Sequence, residues 1–589
     1  MLRSFLLASA ALAVLAPASA FAQIADQSTP SVAGPSASSI ETVTVTSERL
    51  DKARSGIQTQ TGASTYTITD KDIEAAPGGA NNLLNTVILQ APSVTQDSYG
   101  QVHVRGEHNA LQYRLNGVII PEGISVFGQT LDPRLASSVK LIDGALPAEY
   151  GLVTGAIVDL QTKSGAFQNG GDISLYGGAH NTIEPSFDYG GNSGNFNYFV
   201  SGDYLTNSLG IESPDGSPNP IHDRTQQYHG FAYLEDVLDS NSRITAILGT
   251  SHDDFDIPNN PGQVPSYVVN GQSAFNSAQL NERQREITHY GILSYQRTDG
   301  NLDSQVSVFG RYSSLNFSPD ETGDLMFDGI AQQAFKKDVA FGVQAEAAYH
   351  LGDAHTIRGG IIVQNEHATS RTTSSVLPAN CTGSGTMADP FACAAYSGDP
   401  AAPDYNPNFD IPISVADNGT KTQNTYSAYI QDEWKVFDTL TINYGLRYDL
   451  YKAYLKENQL SPRLNVVWQP ADGTTIHAGY SRFFTPPPFE NIANETVTNV
   501  LHTTASPAIT LNSPTKAERS HYFDVGASQR IADGLTVGVD SYYKISKNLI
   551  DEGQFGAPII LTPFNYAKGK PYGVEFTPDY SAVNFSFSG

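Results

Sequence analysis

The chain has 589 residues, of which only 16% are charged, whereas Gly, Tyr and Phe occur 52, 30 and 27 times. Glycine and aromatic residues in alternating runs favour an all-β structure over a series of helical domains. The formal net charge of −26 argues against nucleic acid as a partner, because phosphate binding needs the opposite sign.

The first 22 residues have the pattern of a cleavable export signal. Arg3 supplies a positive start, an apolar stretch runs to Leu15, and small residues form Ala-x-Ala sites that end at Ala20 and Ala22. A membrane anchor is the alternative, but a spanning helix needs about 20 apolar residues without this small-residue exit. We therefore expect an exported chain whose residues 1–22 are removed.

A short Thr/Val-rich run follows a linker. Residues 23–40 are rich in Ser, Ala and Pro and are predicted to be a flexible linker. Residues 41–50 then read ETVTVTSERL, which favours extended backbone. A strand-forming peptide on a tether can add to the sheet edge of another protein. The alternative is that this run is simply the first strand of the next domain.

Residues 51–165 are predicted to form a compact α+β domain. A strand pattern at 64–69 (STYTIT) precedes two short helices, which begin at Asp70 and near Asn81. Four motifs then come in order: VRG at 104–106, LNGV at 115–118, GALPAEYG at 144–151 and GAIVDLQTK at 155–163.

Residues 166–589 read as an antiparallel meander. The clearest strand is TINYGLRYDL at 441–450, where apolar and polar residues alternate, as a barrel strand between lipid and a wet lumen requires. Short turns, as at 239–241 and 471–473, alternate with long connections, as at 257–284 and 485–517. Short turns opposite long outer loops are the layout of an outer-membrane barrel.

This ordered set of motifs resembles the TonB-dependent outer-membrane receptors. The resemblance covers a signal peptide (1–22), a linker (23–40), a TonB box (41–50), a plug domain (51–165) and a β-barrel (166–589). Asn116, Ala145 and Ala156 are mild departures from the family's motifs. The implied fold is an all-β transmembrane barrel with an α+β plug in its lumen.

The resemblance also implies roles for individual residues. The box would pair, as an added strand, with a TonB-type periplasmic energy-coupling protein, through Thr42, Val43, Thr44, Val45 and Thr46. Two plug loops would meet the solute, with candidate ligands Gln96, Asp97, Tyr99, Glu122 and Phe127. Arg105, Gly106, Tyr150 and Gly151 would hold the plug together and in the barrel, and Arg105 should have an acidic partner because an unpaired buried cation is costly.

The end of the chain predicts an incomplete barrel. The pattern gives about 16 complete strands and the start of another at 584–588, whereas plugged transporters have about 22. We therefore expect a C-terminally truncated barrel whose two strand edges stay unpaired. A smaller barrel with an unusual closing strand is the alternative.

Several other residues suggest local chemistry. Cys381 and Cys393, the only cysteines, are expected to form a loop disulfide in an oxidising compartment. The stretch HVRGEH at 103–108 is not expected to bind metal, since Glu107 should lie at the far, periplasmic end of its strand. Clustered Asp253, Asp254 and Asp256 could bind calcium, although solvated loop acids are the commoner case. We expect no cofactor, no metal and no catalytic set.

The predicted function is therefore TonB-dependent active transport across the bacterial outer membrane. A ferric siderophore is the default solute, by analogy with the family alone. The alternatives are another solute (cobalamin, an oligosaccharide or a metal complex), a passive porin or adhesin, and a truncated receptor without function.

Overall fold

The computed structural model describes residues 37–96, 102–107, 111–120, 123, 127–128, 130–153, 155–386, 388–487, 499–506, 515–554, 561–582 and 585–588. The predicted signal peptide and most of the predicted linker lie outside these ranges. The α-helices are α1 (Ala37–Ile57), α2 (Asp70–Ala75), α3 (Leu84–Ile88) and α4 (Glu321–Asp328).

The first seven strands lie in the N-terminal domain: β1 (Ala63–Thr69), β2 (Val94–Gln96), β3 (Val102–Val104), β4 (Leu111–Leu115), β5 (Val118–Ile119), β6 (Ala136–Gly144) and β7 (Ala156–Thr162). Five of them form one sheet in the order β1-β6-β7-β4-β5, with β4 and β7 parallel, and β2 and β3 form a hairpin. Helix α2 begins with a capping box in which Thr69 and Asp72 bond to each other's backbone. This sheet with short helices is the predicted α+β plug.

The remaining strands begin at residue 170. They are β8 (Gly170–Gly178), β9 (Thr182–Ser193), β10 (Phe196–Asn207), β11 (Thr225–Asp239), β12 (Ser242–Asp256), β13 (Arg283–Asp299), β14 (Leu302–Ser318), β15 (Ile330–Leu351), β16 (His355–Val376), β17 (Ala379–Thr382), β18 (Ala392–Ala395), β19 (Ile413–Phe437), β20 (Leu440–Lys452), β21 (Lys456–Ala471), β22 (Thr474–Thr485), β23 (Glu518–Ala532), β24 (Leu535–Gln554), β25 (Leu561–Gly569), β26 (Tyr572–Ala582) and β27 (Phe585–Ser588).

Eighteen of these strands form one closed barrel, in which β27 is followed by β8 and β9. Strands β25 and β26 pair with successive halves of the same neighbour, β24, so the described part of the sheet has 17 strand positions. The expectation of an open sheet with two unpaired edges is therefore wrong. Closure is the physical solution in lipid, where each unpaired backbone amide of an edge is costly.

Alternation along the strands fits a membrane barrel. On β20, Tyr444, Leu446 and Tyr448 face outward, while Arg447 and Asp449 are buried toward the lumen. The connections also alternate in length: β11 joins β12 through a two-residue turn, whereas β12 joins β13 through residues 257–282. We take the side with short turns as periplasmic and the side with long loops as outer.

The long outer loops pack on one another. Helix α4, between β14 and β15, contributes Leu325 and Met326 to a small core that also contains Val269 and Leu377 from two other loops. Strands β17 and β18 form a hairpin whose Cys381 and Cys393 are joined by a disulfide.

The plug lies inside the barrel and shares a core with its wall. Leu135 and Val139 of the plug belong to the same buried apolar cluster as Phe199, Tyr233 and Ile247 of the barrel. None of the helices in the described ranges is long and apolar enough to cross a membrane.

Candidate functional site

The predicted box is helical in the structure. Residues 41–50 lie within α1, so the expectation of extended backbone there is wrong. The reason is tertiary: Ser47, Leu50 and Ile57 are buried at helical spacing, and this packing overrides the β preference of Thr and Val. The side chains of Thr42 and Val43 lie outside the described set, and Val45 is 65% exposed.

Helix α1 rests against the periplasmic end of the barrel. The Ser47 hydroxyl donates to Glu235 Oε1 (2.8 Å), and Asp51 accepts from Arg243 Nη2 (2.8 Å). The Leu50 carbonyl accepts from Gln296 Nε2 (2.6 Å). Glu235 and Arg243 flank the short turn between β11 and β12. The helix that carries the predicted box is therefore held at the periplasmic mouth by polar contacts.

Arg105 has the acidic partner that its burial requires. Its guanidinium forms a bidentate pair with Glu575 of β26 (2.7 and 2.8 Å), and Asp143 of the plug and Asp524 of β23 are each 3.6 Å away. The ring of Tyr542 stacks on it at 4.5 Å. The plug and the barrel wall thus meet at a buried ionic cluster.

The charge state of this cluster follows from its composition. Burial alone would lower the pKa of Arg105, but Asp143, Tyr522 and Glu575 hold that pKa above its ordinary value. Burial raises the pKa of Asp143 to about 7, although Arg105 opposes the shift. The Arg105 backbone is left-handed (φ 54°), as is that of Gly106 (φ 73°), which turns the chain so that the guanidinium enters the cluster.

Arginines of the barrel wall hold the GALPAEYG turn by hydrogen bonds. Arg463 Nη1 donates to the Leu146 carbonyl (2.9 Å) and Arg463 Nη2 to the Tyr150 carbonyl (3.2 Å). Tyr150 is buried, with the Arg114 guanidinium over its ring at 4.6 Å. A Cβ at position 151 would lie 2.0 Å from Arg447 Nε, so only glycine fits beside that arginine.

The five solute candidates are only partly described. Asp97, Tyr99 and Glu122 lie outside the described residues. Gln96 is an exposed residue of β2, opposite Val102. Phe127 packs on Phe255 of the wall with ring centroids 5.5 Å apart. The solute role of these five residues therefore stays a prediction.

Some residues that hold the plug carried no sequence signal of their own. Both oxygens of Glu286 accept backbone N–H groups, from Phe127 (3.1 Å) and Gly128 (3.0 Å). A single Glu on a barrel strand forms no sequence motif. Only its place among the inward-facing residues of the strand would mark it as a candidate contact to the plug. Arg134 of the plug forms an ion pair with Glu184 of β9 (2.5 Å).

Glu107 and the acidic run at 253–256 lie differently from what the sequence predicts. Glu107 bonds to Lys544 (2.7 Å), which also contacts Glu518 at the outer start of β23 (2.8 Å), so Glu107 lies toward the outer side, not the periplasm. Asp253 is buried and faces the lumen, whereas Asp254, the next residue on the strand, pairs with Arg285 on the other face. The Asp253–Asp256 run therefore does not converge on one calcium site.

Comparison with known proteins agrees with this architecture. Residues 370–589 match the family model described as "TonB dependent receptor-like, beta-barrel", and residues 259–461 match the one described as "Outer membrane beta barrel domain". No curated protein sequence is significantly similar to the chain.

Solved structures match the whole architecture at low sequence identity. The ferric yersiniabactin uptake receptor FyuA from Yersinia pestis aligns with TM-score 0.61 and 14% identity over 89% of this chain and 77% of that receptor. The siderophore receptor PiuA from Acinetobacter baumannii gives 0.59 and 13% over 90% and 79%. The copper transporter OprC gives 0.63 and 12% over 90% and 80%. At these identities the likeness is one of fold.

A closed antiparallel barrel with an α+β plug inside it defines an outer-membrane barrel protein of the plugged type. The barrel segment at residues 370–589 matches the TonB-dependent-receptor-like model, and the receptor structures share the fold of the chain.

Proposed function

We propose that the protein is an active transporter that imports a scarce solute under the control of a TonB-type periplasmic coupling protein. The observation that carries this proposal is the position of α1 against the barrel wall. The predicted box lies at the periplasmic mouth, where Ser47, Leu50 and Asp51 bond to the barrel wall.

Transport would begin with release of α1. The contacts that hold α1 are polar, and Val45 is exposed. A partner can therefore reach one face of the helix while the other face is still bound to the barrel. Pairing of residues 42–46 as an added strand requires the helix to unfold, and the β preference of Thr and Val favours that conversion. Pulling would then act on the plug through residue 58 onward, where Gln58 bonds to the Gly117 carbonyl (3.0 Å).

A passive porin is less well supported. The plug shares a buried core with the wall, and wall arginines grip the 144–151 turn. A permanent passage of solute would have to break these contacts, so an energised displacement accounts better for the arrangement.

For the solute, we propose a ferric siderophore. The support is analogy: FyuA is described as a ferric yersiniabactin uptake receptor and PiuA as a siderophore receptor. Gln96, Asp97, Tyr99, Glu122 and Phe127 remain the proposed ligands, since polar groups beside an aromatic face suit a chelate. Cobalamin, an oligosaccharide or another metal complex would be imported by the same steps of helix release and plug displacement.

The test is uptake by cells in which this chain is the only receptor. A panel of labelled ferric siderophores, cobalamin and oligosaccharides would be supplied below the concentrations that diffuse through porins. We expect accumulation of at least one ferric siderophore, and none in cells with an empty vector. Accumulation of cobalamin or an oligosaccharide alone would overturn the solute assignment but keep the transport mechanism.

A further inference from the structure

A second cluster of titratable residues joins the plug to the barrel, at strands other than those that contact Arg105. It consists of Asp132 from the plug, Asp203 from β10, His229 from β11 and Asp253 from β12, and we call it the seam cluster. One ligand atom from each of Asp132, Asp203 and His229 lies within 4.8 Å of the other two. The cluster brings an imidazole and several carboxylates together from four separate elements.

The side chains of the seam cluster are largely buried. The exposed fractions of the Asp132, Asp203, His229 and Asp253 side chains are 12%, 4%, 9% and 2%. His229 Nδ1 faces Asp203 Oδ2 at 2.9 Å. Buried carboxylates need a compensating positive charge. The nearby Arg134 contacts Glu184 (2.5 Å) and Asp132 (2.8 Å) and lies 3.9 Å from Asp203, so three carboxylates share one guanidinium.

The far side of the imidazole is a separate observation. His229 Nε2 and Asp253 Oδ1 are both buried and have no hydrogen-bond partner among the described residues. They face each other at 3.8 Å, which is too long for a hydrogen bond. A carboxylate behind the second ring nitrogen is the usual arrangement for a metal-ligating histidine, because it fixes the tautomer and the orientation of the ring.

We propose that a zinc-class divalent transition-metal ion binds between plug and barrel at Asp132, Asp203 and His229 Nδ1, with Asp253 orienting the imidazole through Nε2–H. One nitrogen with carboxylate oxygens is a donor set that Zn²⁺ accepts. The site would staple the plug segment around Pro133 to three consecutive barrel strands. It is independent of the transported solute.

A similar trio serves as the internal control. His477, Asp524 and Asp540 also lie within 4.8 Å of one another. There, however, both acids face the same ring nitrogen, His477 Nε2, at 2.9 and 3.5 Å. Neither of them lies behind the ring to orient it, as Asp253 does for His229, so we expect no metal at this trio.

The test uses the purified full chain in detergent. Metal content after incubation with Zn²⁺ and desalting would be measured by mass spectrometry, and the visible absorption of bound Co²⁺ would report a nitrogen ligand. We expect about one Zn²⁺ per chain in the parent and in His477→Ala, and at least a tenfold loss of affinity in His229→Ala and Asp203→Asn. Ca²⁺ should not displace the ion, since it prefers all-oxygen ligands.

Two further measurements keep the proposal falsifiable. Barrel folding of each variant would be checked by its heat-dependent mobility on gels, and His229→Gln would replace any misfolded His229→Ala. Chelation should speed hydrogen exchange in residues 130–135 of the parent but not of His229→Gln. The proposal is overturned if the parent binds no Zn²⁺ above background, if the His229 variants bind as the parent does, or if His477→Ala loses the metal instead.

Discussion

At the residue scale, the plug is held by a few buried charges. Arg105 is the central one, because three carboxylates from plug and barrel lie within 3.6 Å of its guanidinium. Replacing it by a neutral residue would leave those acids without a counter-charge, and removing one partner of a buried ion pair typically costs about 3–5 kcal/mol.

We therefore predict that Arg105→Gln lowers the free energy of unfolding by about 3–5 kcal/mol, measured by urea titration in detergent. Arg285→Gln is the matched control: its partner Asp254 is on the outer face and both are partly exposed, so a change of only about 0–1 kcal/mol is expected. Equal effects of the two substitutions would show that the buried cluster does not secure the plug.

Gly151 is a second position where one residue decides the packing. Gly151→Ala would place a Cβ 2.0 Å from Arg447 Nε, and such overpacking costs about 1–3 kcal/mol. Gly291→Ala, whose Cβ would meet the Leu248 side chain at 3.4 Å and the Ile247 carbonyl oxygen at 3.8 Å, should change stability by much less. Thermal unfolding of both variants would compare them, and an unaffected Gly151→Ala protein would contradict the close fit.

The stability of the outer loops should depend on pH. Glu282 and Asp324 are hydrogen-bonded, and burial raises their pKa values to about 7 and about 9. In the unfolded chain both titrate near 4, so between about pH 4 and 9 the folded loops hold more protons and their stability falls as pH rises.

We predict that the opening free energy of α4, from hydrogen exchange corrected for intrinsic rates, decreases from pH 5 to pH 8. Asp324→Asn keeps a polar partner for Glu282 but removes one titration, so its slope should be smaller. The same slope in both proteins would refute the role of this carboxyl pair.

At the scale of elements, the sequence predicts strands better than it predicts their tertiary setting. The inward and outward faces of β20 agree with the alternation in TINYGLRYDL, since lipid and lumen impose a strict period of two. The helical state of residues 41–50 could not be foreseen, because it depends on Glu235, Arg243 and Gln296, which lie about 190 to 250 positions away.

Helix α1 itself gives a prediction. Val45→Pro removes a backbone donor that strand pairing needs, and we expect normal solute binding at the cell surface with abolished uptake. Val45→Ala is the control, because Val45 is 65% exposed and the backbone donor is retained. Unaffected uptake by Val45→Pro would remove residues 42–46 from the coupling role.

At the scale of the whole molecule, order along the chain was the informative signal. Plug motifs followed by a meander with alternating break lengths predicted the plug-in-barrel architecture. Closure of the sheet was only the alternative prediction, because strand counting says nothing about how β27 and β8 meet. The seam cluster was also invisible, since its residues come from the plug and from three barrel strands and meet only when the plug packs against the wall.

We propose that transport through this barrel needs energy from the inner membrane. The most direct test is accumulation of a labelled ferric siderophore in cells with this chain as sole receptor, with and without the periplasmic coupling protein. We predict equal binding at the surface in both strains but accumulation only when the coupling protein is present. Equal accumulation in both strains would contradict the account and indicate a passive pore.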